Sequence, residues 1–108
     1  MYEVKVKTGF SAAHQLRYYD GKYENLHGHN WTAVVTVETK ELDEIGLGVD
    51  FVVLKKNVVD ILSRLDYKNI NEVPPFDLKN PSAENISRWL FDELATLINC
   101  DNARLKRV

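Results

Sequence analysis

A single cysteine, Cys100, is all the thiol chemistry in this chain of 108 residues. One thiol excludes an intrachain disulfide and a zinc cluster built from thiolates, and it fits a reducing compartment. Positive charge is not in excess either: 14 Lys and Arg stand against 16 Asp and Glu, for a formal net charge of −2 and a pI near 5.9. Nucleic-acid binders carry a basic face, so no nucleic-acid partner is expected. No apolar run approaches the roughly 20 residues that a membrane-spanning helix requires. The opening MYEVKVKTGF alternates polar and apolar residues instead of placing an apolar stretch behind a basic start, so it does not read as a secretory leader. The cytoplasm is the expected compartment, with no membrane partner.

Apolar residues make up 44% and charged residues 28%, enough apolar surface to fold. The length fits one small domain over residues 1–108 and leaves no room for a separate cofactor domain. From Tyr2 to His14 the even positions Tyr2, Val4, Val6, Phe10, Ala12 and His14 alternate with Lys5 and Lys7. A period of two predicts a strand with one buried face. The same period runs through His27, His29, Trp31, Ala33, Val35 and Val37, predicting a second strand to about Thr39, with the polar stretch Arg17 to Asn25 as a loop. After the acidic, glycine-containing stretch 40–48, Asp50 is placed to cap a helix on Phe51, Leu54, Val58, Ile61, Leu62 and Leu65, ending near Asp66. Residues 67–79 read as a long irregular connection. Asn80 or Ser82 caps a second helix with Ile86, Trp89, Leu90, Leu94, Leu97 and Ile98 as its buried stripe, and a last strand begins near Ala103. The order strand, strand, helix, helix, strand is that of an α+β domain, an antiparallel sheet with two helices on one face. A sheet of so few strands has edges to cover, which points to association between copies.

The three histidines of the chain are His14, His27 and His29. On a strand, residues i and i+2 face the same side about 7 Å apart, so His27 and His29 converge on one ion when a third imidazole comes from the neighbouring strand. His14 is placed to be that third. Three neutral imidazoles with a fourth position open form a zinc site of the catalytic kind.

These residues carry a family resemblance. Phe10-Ser11-Ala12-Ala13-His14, Leu26-His27-Gly28-His29-Asn30-Trp31, Gly48-Val49-Asp50-Phe51, Leu65-Asp66 with Asn71, and Asn80-Pro81-Ser82-Ala83-Glu84-Asn85 resemble the 6-pyruvoyltetrahydropterin synthase and 6-carboxytetrahydropterin synthase family. The resemblance implies a tunnelling fold whose trimers close a sheet into a barrel and stack as hexamers, with active sites between subunits. It further implies Zn2+ on His14, His27 and His29, polarising the side-chain hydroxyls of 7,8-dihydroneopterin triphosphate.

The resemblance is not uniform. Familiar members have a catalytic cysteine four residues before the first histidine of the pair, where this chain has Tyr23. Glu24, three residues before His27, resembles instead a subgroup in which a glutamate replaces the cysteine and the product is 6-hydroxymethyl-7,8-dihydropterin, for folate synthesis. That implies Glu24 as the base. Asp66 and Tyr67 stand where the family has an Asp-His proton relay, and Ser82 where it places a pterin-contacting hydroxyl. The family's pterin-anchoring glutamate falls after the position of Val108, so the final strand reads as cut short. Three readings stay open: the folate-type lyase, a 6-pyruvoyl- or 6-carboxytetrahydropterin synthase with an unusual base, and a zinc- and pterin-binding module without turnover.

Overall fold

The two alternating stretches are long strands paired along their whole length. In the computed structural model, which describes residues 1–18 and 20–108, β1 (Tyr2–His14) and β2 (His27–Thr39) run antiparallel, from Tyr2 opposite Thr39 to His14 opposite His27. The loop expected between them includes Tyr19, which lies outside the described residues. Then follow α1 (Phe51–Leu62), a 3-10 turn (Ile70–Glu72), α2 (Ala83–Ile98) and β3 (Ala103–Arg107). β2 is central, and β3 pairs with it only over Thr36–Thr39.

The core lies between one sheet face and the helices. Val6, Phe10 and Ala12 of β1, Ala33, Val35 and Val37 of β2, and Leu105 of β3 meet Leu54, Val58, Ile61, Leu62, Ile86, Leu90 and Leu94. Each fully buried aliphatic or aromatic side chain contributes about 1.5–3 kcal/mol over its exposed state. The antiparallel sheet with two helices agrees with the α+β expectation. No helix among the described residues is long and apolar enough to cross a membrane.

Local chemistry explains the boundaries. Asp50 caps α1 through Oδ1, which accepts from the backbone N–H of Val52 at 2.9 Å and Val53 at 3.4 Å. A bulge between Thr36 and Val37 leaves Lys106 as the extra residue of β3, and its ammonium pairs with Glu3 and Glu38. Gly48 packs against buried Thr39 so closely that a Cβ there would stand 2.2 Å from Thr39 Oγ1.

Four expectations need correction. α1 ends at Leu62 rather than near Asp66, because Arg64 and Leu65 bond three residues back in tighter turns. Phe51 is 51% exposed; side chains tilt toward a helix N-terminus, so one in the first turn projects past the packed face. Leu97 lies over a groove left open between the start of α1 and the end of α2. The connection 67–79 is not merely irregular, since its 3-10 turn buries Ile70 and Phe76 follows into the core.

Candidate metal centre

The strand register brings the histidines together. His14 is opposite His27 and Ala12 opposite His29, so the three imidazoles share the core-facing side at the end of the hairpin where helical cover runs out. Burial falls from His14 through half-buried His27 to exposed His29. Ring centroids are 4.8 Å apart for His14 and His27, 5.2 Å for His14 and His29 and 4.6 Å for His27 and His29, with the planes steeply inclined. One potential ligand atom from each lies within 4.8 Å of the others.

The hydrogen bonds behind the rings select the tautomer. Nδ1 of His14 donates to the carbonyl of buried Pro81 at 2.7 Å, and Nδ1 of His27 to the carbonyl of Asn25 at 2.7 Å. In neutral rings this leaves each Nε2 with a lone pair, the arrangement that fixes and strengthens a metal-ligating histidine. A shared ion about 2.1 Å from each nitrogen asks for nitrogens about 3.4 Å apart in a tetrahedron, against ligand atoms that now lie within 4.8 Å of one another. The donor set therefore fits one divalent metal ion, with His14 the buried, hydrogen-bonded ligand and His29 the exposed one.

Trp31 lies behind the triad, and sequence reasoning placed it only in the buried stripe. Its ring edges toward His14 at 4.8 Å and His29 at 5.4 Å, stacks on Phe10 at 5.8 Å, and its indole N–H donates to Ala12 O at 3.2 Å. The Pro81 carbonyl was likewise not anticipated, since a backbone acceptor 67 residues from its donor leaves no mark in the sequence.

Of the other candidate residues, Glu24 stands at the triad. Its Oε1 lies 3.6 Å from His27 Nδ1 and accepts from Leu16 N at 3.4 Å. Its backbone N donates to Leu16 O at 2.9 Å. Tyr23 turns away to meet Tyr18 at 5.4 Å between rings; hydrogen bonding to Tyr18 raises its phenol above the ordinary value of 10.0, so it supplies no anionic base at neutral pH.

Asp66 accepts from Ser11 N at 2.9 Å, and exposed Tyr67, at a φ of 57°, binds Ser11 O through its backbone N. These two flank a groove with Gly9, Ser11, Asn30 and Thr32, residues of the sheet face opposite the histidines. Within one chain they are not gathered at the triad. Ser82 caps α2, its Oγ accepting from Asn85 N at 3.1 Å, and its own O–H, beside Pro81, meets no acceptor among the described residues.

Comparison with known proteins places the chain in a family. The chain is similar to 6-carboxy-5,6,7,8-tetrahydropterin synthase of Synechocystis sp., 33% identical over 99 residues, covering 87% of this chain and 75% of the relative. It is similar also to dihydroneopterin monophosphate aldolase of Pyrococcus furiosus, 33% identical over 102 residues, covering 94% and 82%. The fold matches the structure of 6-pyruvoyl tetrahydropterin synthase from Caenorhabditis elegans with a TM-score of 0.77 at 23% identity, over 99% of this chain and 89% of that one. The profile described as 6-pyruvoyl tetrahydropterin synthase spans residues 3–108, and the chain belongs to that family of pterin lyases.

Proposed function

We propose that this chain is a cytoplasmic, zinc-dependent lyase that cuts the side chain of 7,8-dihydroneopterin triphosphate and releases 6-hydroxymethyl-7,8-dihydropterin for folate synthesis. The observation that carries this reading is the Glu24 carboxylate 3.6 Å from His27, at the rim of the histidine triad. Nε2 of His14 and His27, with His29, would hold the metal, which would supply Lewis acidity to the substrate's side-chain hydroxyls. Glu24, oriented by the Leu16 N–H, takes the proton of the hydroxyl on the second side-chain carbon. The bond between the first and second carbons then breaks. Its electron pair passes into the C6–N5 imine of the dihydropterin, and the second carbon leaves as the aldehyde of a phosphorylated glycolaldehyde. Glu24 returns its proton to the first carbon, completing the hydroxymethyl group with no net oxidation.

The O–H of Ser82 is available to the pterin. Asp66 and Tyr67, open to the other sheet face, are assigned to a site completed by a second copy in a trimer or hexamer, the sheets joining into a barrel at their free strand edges. A monomeric mass in solution would sink that part.

Two further readings have specific support. The name of the Pyrococcus relative favours a monophosphate as substrate, and the name of the Synechocystis relative favours 6-carboxytetrahydropterin as product. Zinc-loaded parent protein and Glu24→Gln, incubated with each phosphate ester and followed by mass spectrometry of the pterins, separate them. Release of 6-hydroxymethyl-7,8-dihydropterin by the parent alone is the expected result. Appearance of 6-carboxy- or 6-pyruvoyltetrahydropterin instead would replace the folate-type cleavage by a synthase reaction, and unchanged substrate with stoichiometric zinc would leave a pterin-binding module.

A further inference from the structure

We propose that Asn71 and Asn80 are positioning residues of the metal centre, their side-chain amides standing in for a strand along the chain that follows His14. β1 ends at His14, yet the next residues stay gripped on one edge. Tyr67 N and Asp66 Oδ1 hold Ser11, and Lys68 O accepts from Ala13 N at 2.9 Å. Beyond this the backbone of the 66–81 segment no longer pairs with the strand, and two asparagines take over. Asn71 Oδ1 accepts from Gln15 N at 2.8 Å while its Nδ2 donates to Gln15 O at 2.9 Å. Asn80 repeats the pattern on Arg17, at 2.8 Å to the N–H and 3.0 Å to the carbonyl.

Two parts of the proposed site depend on this grip. His14 lies between Ala13 and Gln15, both pinned, so its backbone is fixed on either side and aims the ring at the Pro81 carbonyl. Leu16 lies between Gln15 and Arg17, and its N–H and C=O are the groups that hold Glu24. The amide is the suitable side chain because it offers a donor and an acceptor together. A carboxylate at either position keeps the acceptor, loses the donor, and faces a backbone carbonyl with negative charge. The sequence pattern left Asn80 and Ser82 as alternative helix caps, and Ser82 fills that role.

This inference rests on the reading of the triad as a metal centre. The test uses the full chain, with zinc affinity measured by chelator competition and the cobalt(II) visible spectrum as a readout of ligand geometry. Asn71→Asp and Asn80→Asp are each expected to weaken zinc binding by about 10-fold to 100-fold, the usual effect of losing a group that orients a ligand. The control is Leu105→Ala on β3, which lowers stability away from the site and is expected to leave affinity within about 2-fold. If an Asp variant does not fold, Asn80→Ser, which keeps one hydrogen-bonding group, is measured in its place with the same expected direction. Folded variants that bind zinc as the parent does, with an unchanged cobalt spectrum, would overturn the inference. A parent that takes up no zinc would overturn the metal reading itself. Hydrogen exchange at Gln15 and Arg17 N–H, independent of metal, is expected to accelerate in Asn71→Leu and Asn80→Leu respectively, which remove the acceptor that the Asp variants keep; unchanged protection in these would overturn the grip.

Discussion

Replacing His14 and His29 in turn by Ala separates what a histidine does for the metal from what it does for the fold. Both are proposed ligands, so both substitutions should weaken zinc binding severely. Their metal-free proteins should differ. His14 is 7% exposed, its ring meets Trp31 and the other two imidazoles, and it satisfies the buried Pro81 carbonyl. Removing it strands that acceptor, at about 1–3 kcal/mol, and opens a gap where the ring packed. We expect a total of about 2–4 kcal/mol. His29 is exposed, and surface substitutions usually stay within about 0.5 kcal/mol. At about 4–8 °C per kcal/mol for a domain of this size, His14→Ala should lower the melting temperature by about 10–30 °C. His29→Ala should move it by a few degrees. The assay is calorimetry in excess chelator, beside a zinc titration of each variant. Equal melting temperatures for the two metal-free variants would refute the argument that His14 is held by the fold before any ion arrives.

Two other predictions concern the frame. Gly48→Ala puts a methyl 2.2 Å from Thr39 Oγ1 and should cost about 1–3 kcal/mol by overpacking. Because that hydroxyl is buried with no partner among the described residues, Thr39→Ala should partly relieve the clash, so a urea-unfolding double-mutant cycle that sums additively would count against the contact. The Lys106 pairing with Glu3 and Glu38 should support stability within a window of pH. Its hydrogen bond from Lys106 holds Glu3 below the ordinary 4.5, so that contribution is present above 4.5 and is lost as pH falls through the lowered value. The same pairing, first with Glu3 and then Glu38, lifts Lys106 above 10.5, so its part is present below 10.5 and is lost as pH rises past the raised value. The urea midpoints of parent and Lys106→Met should therefore differ at neutral pH and converge at both extremes.

The sequence disclosed most where chemistry repeats along the chain. Val6, Phe10, Ala12 and His14, and His27 through Val37, declare their strands by alternation, and that parity alone put the three histidines on one face. Asp50 announced its helix because a cap acts two residues away. What stayed illegible acts across distance. Nothing beside Asp66 says that its carboxylate will meet Ser11 N, 55 residues earlier. Asn80 next to Pro81 looks like a helix cap, and only the folded chain shows it turned to Arg17, 63 residues away. Leu97 fits the helical period of α2 and fails to bury because the groove beside it is left open, a matter of how two helices diverge.

The register of the hairpin carries one further consequence. Side chains alternate across a strand, so sliding β2 by one residue along β1 turns its whole inward set outward. His27 and His29 would then give way to Gly28 and Asn30 opposite the last residues of β1. Neither can complete a triad with His14. An ion held by the proposed triad would therefore report on the pairing of all thirteen residues behind it, and a chain folded one step out of line would forgo the stabilisation that binding a metal adds to the native state.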